Sequence, residues 1–168
     1  GGGGESDGSW FTAANWSNDT LPVAGDEVVF PDLGDSYDVD YDPEESSAPL
    51  SLELLNLSLN VSSGRLHLRS GTLSCTGDLF VRLGGQLYLQ GYTLEIAGSI
   101  NIQRLAWLYL YTGSLVQNGP LLISDEAGFN MRGGLFEVND TLTSDSTFVS
   151  VHGGTLELNA NIEGTGNF

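Results

Sequence analysis

The acidic residues between positions 26 and 45 offer the most obvious chemistry in this sequence. Asp38, Asp40 and Asp42 alternate with apolar or aromatic residues, so an extended strand would place all three carboxylates on one face. Calcium prefers several carboxylate and carbonyl oxygens, and we predict these three aspartates as candidate calcium ligands. Neighbours on one strand face lie about 7 Å apart, so the three aspartates alone would not enclose one ion. The alternative interpretation is a solvated acidic edge that discourages aggregation.

Paired carboxylates could also serve glycoside hydrolysis, in which retaining enzymes hold two acids about 5 Å apart. Glu137 and Glu157 occupy equivalent positions of two successive repeats, and Glu95 occupies the same position two repeats earlier. The turns around them are short and would build no cleft. Like charges opposite one another on a strand face need no catalytic role to be tolerated in water, although they destabilise the pair slightly.

A polysaccharide lyase would need a base beside an acidic metal site. The sequence has no lysine, and Arg69 and Arg132 fall three repeats apart, roughly 14 Å along a solenoid. His67 and His152 fall in different columns of the repeat, which gives neither a metal pair nor a catalytic triad. We therefore predict that the chain is not an enzyme and needs no cofactor other than calcium. A polysaccharide lyase or hydrolase is the least favoured alternative.

Outward aromatic residues give a second kind of candidate site. Tyr88 and Tyr109 are equivalent in successive repeats. Tyr111 follows on the same strand face, and Trp107 precedes that strand. Exposed aromatic rings bind sugar rings or protein partners, so these four residues are the candidate contacts for a glycan or a partner. The competing interpretation, which we favour, is cross-strand stacking that only stabilises the sheet.

Five N-x-[ST] sequons would make the chain a glycoprotein if its source attaches N-linked glycans. Asn15 and Asn18 have the most loop-like surroundings, whereas Asn56 and Asn60 are expected to point outward from a strand. Such sequons also arise by chance in chains rich in Asn, Ser and Thr. The five positions are Asn15, Asn18, Asn56, Asn60 and Asn139.

Charge and cysteine content exclude several classes of protein. The chain has 168 residues, with 22 acidic side chains against five basic ones and a formal net charge of −17. Nucleic acids and anionic membranes attract basic surfaces, so we expect neither as a partner. A single cysteine leaves no internal disulfide framework, and no run of 18 apolar residues would form a spanning helix. The length fits one domain.

The elements that position these residues follow from an internal repeat. Five segments of 20 to 22 residues line up as 65–86, 87–107, 108–128, 129–148 and 149–168. Each has alternating apolar residues on both sides of a glycine turn, and most have a third alternating pair. Three short strands per segment predict an all-β fold, a parallel β-helix. The usual crossover preference, together with the family resemblance described below, predicts the right-handed, pectin-lyase-like form of this solenoid.

Inward positions of the predicted coils form ladders of apolar side chains, and a one-residue slip would turn each ladder outward. Cys75 fits its ladder as a small hydrophobe. Gln117 is the weakest fit, either as a buried amide that needs partners or as a local change of register. The inward positions are Leu66, Leu87, Leu108, Phe129 and Val149 with Leu68, Leu89, Leu110, Met131 and Val151 on the first strand; Leu73, Leu94, Leu115, Phe136 and Leu156 with Cys75, Ile96, Gln117, Val138 and Leu158 on the second; and Leu79, Ile100, Leu121, Leu142 and Ile162 on the third.

The chain divides into two predicted parts. Residues 1–49 form an N-terminal aromatic cap and a first irregular coil with an acidic loop, and residues 50–168 form the regular coils with an uncapped C-terminal end. Earlier strands are predicted at 27–30 and 35–42, with an inserted loop at 43–49. The cap is built from Trp10, Phe11 and Trp16. A cap matters because an open β-helix end is an unpaired sheet edge.

Two stretches resemble a known family. GSWFTAANWSNDTLPVAGDEVVFPD (8–32) resembles the opening of passenger-type β-helix exoproteins, which often begin W…NW…P…GD.V.F. GGTLELNANIEGTGNF (153–168) is similar to autotransporter-associated β-strand repeats, with their GTL.L…I.GTG pattern. Together the stretches cover about 41 residues. The resemblance implies a right-handed β-helix, secretion, and a role as a stalk or adhesive surface.

These observations favour a structural function. We expect a rigid β-helix segment of a secreted cell-surface or fibrous protein, used as a stalk, adhesin or extracellular filament subunit. The open end favours head-to-tail self-association, or stacking on further coils of the same chain. The main alternative is a carbohydrate-binding module with surface glycans as partners. The expected location is extracellular or at the cell surface.

Overall fold

The computed structural model describes residues 8–32, 34, 37–43, 51–145 and 148–165. Most of the predicted inserted loop at 43–49 lies outside these ranges. A short 3₁₀ helix spans Ala13–Asn15, and nearly all the other regular structure is β-strand. The strands are β1 (Glu27–Phe30), β2 (Tyr37–Tyr41), β3 (Ser51–Leu54), β4 (Asn56–Asn60), β5 (Gly64–Leu68), β6 (Thr72–Cys75), β7 (Leu79–Arg82), β8 (Gln86–Ile96), β9 (Ile100–Ile102), β10 (Trp107–Gln117), β11 (Leu121–Ile123), β12 (Gly128–Met131), β13 (Leu135–Val138), β14 (Leu142–Ser144), β15 (Phe148–Val151), β16 (Thr155–Leu158) and β17 (Ile162–Gly164).

The strands form three parallel ladders, each joining equivalent strands of neighbouring coils. The third strands, β1, β4, β7, β9, β11, β14 and β17, form a seven-stranded sheet. The first and second strands share a ten-stranded sheet, because β8 and β10 each run through both ladders. The predicted parallel β-helix is confirmed. The early strands β1 and β2 join it through β4 and β5 respectively.

The register is the one that the repeat predicts. Leu66, Leu87 and Leu108 are paired along the first ladder, and Ile100 and Leu121 along the third. These side chains are at most 1 % exposed. Full burial of a leucine contributes roughly 1.5–3 kcal/mol, so neighbouring coils stabilise one another through the ladders.

Inward residues of the last described coil are less buried than their equivalents. Val151, Leu158 and Ile162 are 45 %, 48 % and 36 % exposed, whereas the side chains that pair with them one coil earlier are buried. The difference arises because no described residue stacks on the other side of this coil. Inward register alone therefore does not bury a side chain, which also needs a coil on each side.

Gln117 is a buried amide in regular register, which resolves the two interpretations of this position. Its Nε2 donates to the carbonyl oxygens of Gly119, Asp140 and Thr141 at 2.6, 2.9 and 3.3 Å. Its Oε1 accepts no hydrogen bond from the described residues. Cys75 is buried as predicted, and burial raises the pKa of its thiol to about 12.

Tyr92 is an interior side chain that the repeat does not predict. It occupies the corner between the first and second strands, where its partner in the next coil is Gly113. The ring is fully buried and lies edge-on to the Tyr41 ring, with the centroids 5.5 Å apart. Burial raises the pKa of both phenols. Because Gly113 has no side chain, the corner of the next coil leaves space that the Tyr92 ring fills.

The corner between the third and first strands contains non-glycine residues with left-handed backbone. Arg104 and Leu105 have φ values of +57° and +64°, and Asp125 and Glu126 in the next coil have +57° and +60°. The Leu105 side chain is 58 % exposed, and its N–H donates to the Asp125 carbonyl at 3.0 Å. Burial of the Leu105 side chain therefore does not account for the left-handed conformation at this corner.

We expect Leu105→Gly to stabilise the protein by about 0.5–1 kcal/mol. A left-handed conformation costs an L-residue roughly 1–2 kcal/mol, and the greater entropy of glycine in the unfolded chain offsets part of the gain. Urea unfolding measures the effect. Leu105→Ala is the matched control, since it removes the same exposed side chain but keeps the strained φ. A glycine variant less stable than Leu105→Ala would show that the backbone carries no strain, because only the unfolded-chain entropy of glycine would then separate the two variants.

Candidate functional site

The predicted aromatic residues lie together on the outer surface of the first-strand ladder. We call His67, Tyr88, Trp107, Tyr109 and Tyr111 the aromatic face. His67, Tyr88 and Tyr109 are paired in one column of successive coils, and Trp107 precedes Tyr109 by two residues on β10. All five side chains are half-buried. The structure therefore brings together the four predicted residues and adds His67, which the sequence analysis did not group with them.

The aromatic rings of His67, Tyr88 and Tyr109 are stacked along one column and partly overlap. The Tyr88 centroid is 4.7 Å from those of both His67 and Tyr109, with planes inclined by only 14° and 11°. Rings this close and this parallel must be offset-stacked, since side-by-side rings in one plane would collide. Each ring thus covers part of the next. This is the cross-strand stacking expected to stabilise the sheet, and it leaves little free ring face in the column.

Trp107 is placed differently from the tyrosines. A Cβ atom built on Gly128, its partner in the next coil, would lie 2.6 Å from Cη2 and 2.7 Å from Cε3 of the indole. The six-membered ring therefore covers Gly128, with one face against the sheet. The indole is nearly parallel to the Tyr109 ring, at 17° and 5.7 Å between centroids. The signal in the sequence was the glycine one repeat after the tryptophan, which the sequence analysis overlooked.

Polar groups border the aromatic face. The Tyr88 hydroxyl donates to Gln86 Oε1 at 2.5 Å, and the Arg132 guanidinium lies 5.5 Å from the Tyr111 ring centroid. Arg65 and Gln86 line a surface cleft of about 160 Å³ beside the face. The surroundings thus combine ring surfaces with donors and acceptors, as ligand sites commonly do.

Burial sets the ionisation of the aromatic face. It raises the pKa of the Tyr88 and Tyr109 phenols, and the neighbouring tyrosines add to this effect. It lowers the pKa of the His67 imidazole despite the opposing Asp40 carboxylate. His67 is therefore neutral at pH 7. Because the pKa is lower in the folded than in the unfolded chain, the contribution of His67 to stability is lost as the pH falls below about 6.5.

The predicted calcium ligands are engaged with residues one coil away. Asp38 pairs with Arg65 at 3.5 Å, and Asp40 pairs with Arg69 at 2.8 Å. Asp42 accepts a hydrogen bond from the Ser70 hydroxyl at 2.5 Å. No group of three potential metal-ligating side chains occurs in the described part of the chain. The acidic run contains no basic residue in sequence, but the fold supplies two arginines from the next coil.

The three predicted glutamates lie in one outward column of the second-strand ladder. Glu137 and Glu157 are directly paired, and Val116 separates Glu137 from Glu95. Glu95 and Glu157 are exposed, and Glu137 accepts a hydrogen bond from Asn139 Nδ2 at 2.9 Å. This arrangement leaves the carboxylates on open strand surface.

The two histidines lie apart, as predicted. His67 belongs to the column of Tyr88, whereas His152 Nε2 lies 2.8 Å from the hydroxyl of Ser150 on β15. Arg69 and Arg132 are likewise in contact with different neighbours, Asp40 and Tyr111. The fold does not assemble these residues into one constellation.

The predicted glycosylation sites differ in how freely their amides face solvent. Asn18 is exposed in a left-handed turn at φ +69°. Asn15 Nδ2 donates to the Ser9 carbonyl at 2.8 Å, and Asn139 Nδ2 donates to Asn118 Oδ1 at 3.0 Å, so a glycan would replace a donor at either site. Asn56 and Asn60 are half-buried at the two ends of β4, and Asn56 Oδ1 accepts from the Asp78 N–H at 2.7 Å.

An apolar hollow forms the end of the last described coil. Its volume is about 220 Å³, and Phe129, Phe136 and Leu142 form its floor. The rim includes the exposed Val151 and Ile162. This surface consists of inward side chains of the last two described coils.

Within the described ranges, no helix has the length and apolar character needed to cross a membrane. No protein family, curated protein or solved structure gives a significant match to the chain.

Proposed function

We propose that the chain is a structural segment of a secreted cell-surface or fibrous protein, such as a stalk, adhesin or filament subunit. The observation that carries this proposal is the apolar end of the last described coil. Val151, Leu158 and Ile162 expose 36–48 % of their surface in positions whose equivalents are core residues. Another coil placed on this end would bury them by repeating the existing register.

Further coils could come from the same chain or from another copy, and both extend one rigid solenoid. Coil-on-coil extension between copies is a heterologous contact, which generates filaments when it does not close. The resemblance to passenger-type exoproteins with autotransporter-associated repeats supports export and a stalk-like role. The paired carboxylates Glu137 and Glu157 lie on outer strand surface, and the two histidines lie in separate columns, which favours a non-enzymatic role.

We expect the purified chain to associate as its concentration rises, and Leu158→Glu to prevent this association. A charge buried between two coils is strongly unfavourable, so the variant should remain monomeric. Sedimentation velocity and electron microscopy measure the outcome. Thr155→Glu is the matched control, because it adds the same charge to the exposed outer side of β16.

The second form of extension has its own measurement. A chain carrying a second copy of residues 149–168 at its C-terminus should melt at a higher temperature, since each added interface contributes stability to a solenoid. A wild-type chain that stays monomeric at all concentrations, together with no thermal gain in the extended chain, would contradict the proposal.

A further inference from the structure

The outer face of Trp107 is the ring surface best placed to receive a ligand. One side of the indole lies over Gly128, where any side chain would collide with it. The opposite side therefore faces away from the sheet. In the tyrosine column, by contrast, stacked neighbours 4.7 Å apart cover the ring faces. The stack supports Trp107 from the side and is not itself the main contact surface.

Polar side chains continue the Trp107 column along the solenoid. Gln86, Arg65 and Asp38 occupy the equivalent positions of the three preceding coils. They line the cleft of about 160 Å³ with the two serines that precede β5. The hydrogen bond from Tyr88 holds the Gln86 carboxamide in place. The Trp107 indole is thus followed, in successive preceding coils, by the Gln86 amide, the Arg65 guanidinium and the Asp38 carboxylate.

A second ring lies on the other side of Trp107. Phe148 occupies the same column two coils further on, beyond Gly128, and its side chain is 56 % exposed. Coils are about 4.8 Å apart, so the two rings are separated by roughly 10 Å along the axis. The column therefore presents aromatic surface at intervals and polar groups at one end.

We propose that this column, centred on Trp107, binds a neutral glycan chain that lies along the solenoid axis. The apolar face of a pyranose ring packs on an indole, and adjacent hydroxyls pair with planar amide, guanidinium and carboxylate groups. An extended pyranose unit is about one coil spacing long, so successive sugars meet successive side chains. This activity goes beyond the structural role, which involves the end of the solenoid and not its side.

Charge selects the class of glycan. Arg65 and Asp38 form an ion pair at 3.5 Å, so the charges within the cleft offset one another. The chain as a whole carries a net charge of −17 and repels polyanions. Neutral polysaccharides meet neither a charge mismatch in the cleft nor long-range repulsion, whereas uronic acid polymers meet both the carboxylate and the overall field.

Affinity electrophoresis with soluble polysaccharides tests the proposal. The probes are hydroxyethyl cellulose, a soluble β-1,3-glucan and galactomannan, with polygalacturonate as the anionic comparison. We expect at least one neutral probe to retard the wild-type chain and Trp107→Ala to weaken this binding at least tenfold, or about 1.4 kcal/mol. Phe80→Ala is the matched control, because Phe80 is a half-buried outward ring on the other sheet and should leave binding unchanged.

Gly128→Ala tests whether binding depends on the position of the Trp107 indole, because this variant keeps the indole but displaces it. The added methyl group would push the Trp107 ring off the sheet while leaving every polar group in place, so binding should fall as in Trp107→Ala and the tryptophan emission should shift. Circular dichroism establishes that each variant is folded. The proposal is overturned if no neutral probe retards the wild type, if Trp107→Ala binds like the wild type, or if polygalacturonate binds more tightly. None of these outcomes affects the association through the end of the solenoid, which sedimentation measures separately.

Discussion

Gly113→Ala is expected to lower the free energy of unfolding by more than about 4 kcal/mol, or to prevent folding. Gly113 has φ +90°, and an added Cβ would lie 2.5 Å from the Tyr92 backbone nitrogen and in collision with the Tyr92 carbonyl oxygen. These are backbone atoms of a hydrogen-bonded ladder and have no freedom to rotate away. The coil would have to separate from its neighbour, which would disrupt the register on both sides.

Gly25→Ala is the matched control for Gly113→Ala. Gly25 has a similar φ of +85°, but an added Cβ would meet no atom within 4 Å. Gly25→Ala should lower the free energy of unfolding only by the cost of a left-handed conformation for alanine, roughly 1–2 kcal/mol. Urea unfolding of both variants measures the difference, which isolates the close approach of the coils from the backbone conformation. Equal losses in the two variants would mean that neighbouring coils tolerate a side chain at this corner.

The stacking of coils follows from the sequence because two independent periods agree. Alternation places Leu66 and Leu68 on the same side of a strand, and the 21-residue spacing places Leu87 beside Leu66. A strand has only two faces, so an apolar alternation leaves one choice of inward side. The same periods place the aromatic and carboxylate columns, because outward residues inherit the register of inward ones.

Tyr92 could not be assigned in this way, because it lies where the alternation is interrupted. The ladder between β8 and β10 shifts register between Leu110 and Gly113, and this irregularity turns Tyr92 into the interior. Its burial also depends on contact with Tyr41, two coils away, which no single repeat reveals. Corners are thus less predictable than strands, since their conformation depends on the space that neighbouring coils leave.

Contacts between neighbouring coils follow from the register but are hidden in the linear sequence. Asp38 and Arg65 are 27 residues apart along the chain but are direct partners on β2 and β5. The acidic run therefore looks uncompensated in sequence and is partly neutralised in the fold. Trp107 and Gly128 are similar, because the importance of the glycine is visible only when equivalent positions are compared. The ring orientations themselves depend on side-chain packing and not on periodicity.

Trp10→Ala is expected to cost about 3–5 kcal/mol, the usual range for removing a large aromatic side chain from a core. Trp10 is 1 % exposed and packs edge-on against Trp16 and Tyr41, with centroids 4.8 and 5.0 Å away, and against Phe30 at 5.8 Å. Its carbonyl oxygen accepts the Trp16 indole N–H at 2.7 Å. The variant would therefore leave a cavity among aromatic rings next to the first strands.

Trp107→Ala is the matched control for Trp10→Ala, because it also removes an indole ring but removes it from the surface and not from the core. The Trp107 indole lies on the outer surface, so its removal should cost less than about 1.5 kcal/mol, mainly from lost ring contacts. Urea unfolding followed by circular dichroism measures both variants without relying on tryptophan emission. Trp10→Ala should also expose the sheet edges of the first coil and promote aggregation, because unpaired strands recruit other chains. If Trp10→Ala and Trp107→Ala lower the free energy of unfolding equally, then the N-terminal aromatic cluster contributes no more to stability than a surface ring does. The first coil would then be stabilised by its ladder hydrogen bonds and not by the aromatic cluster.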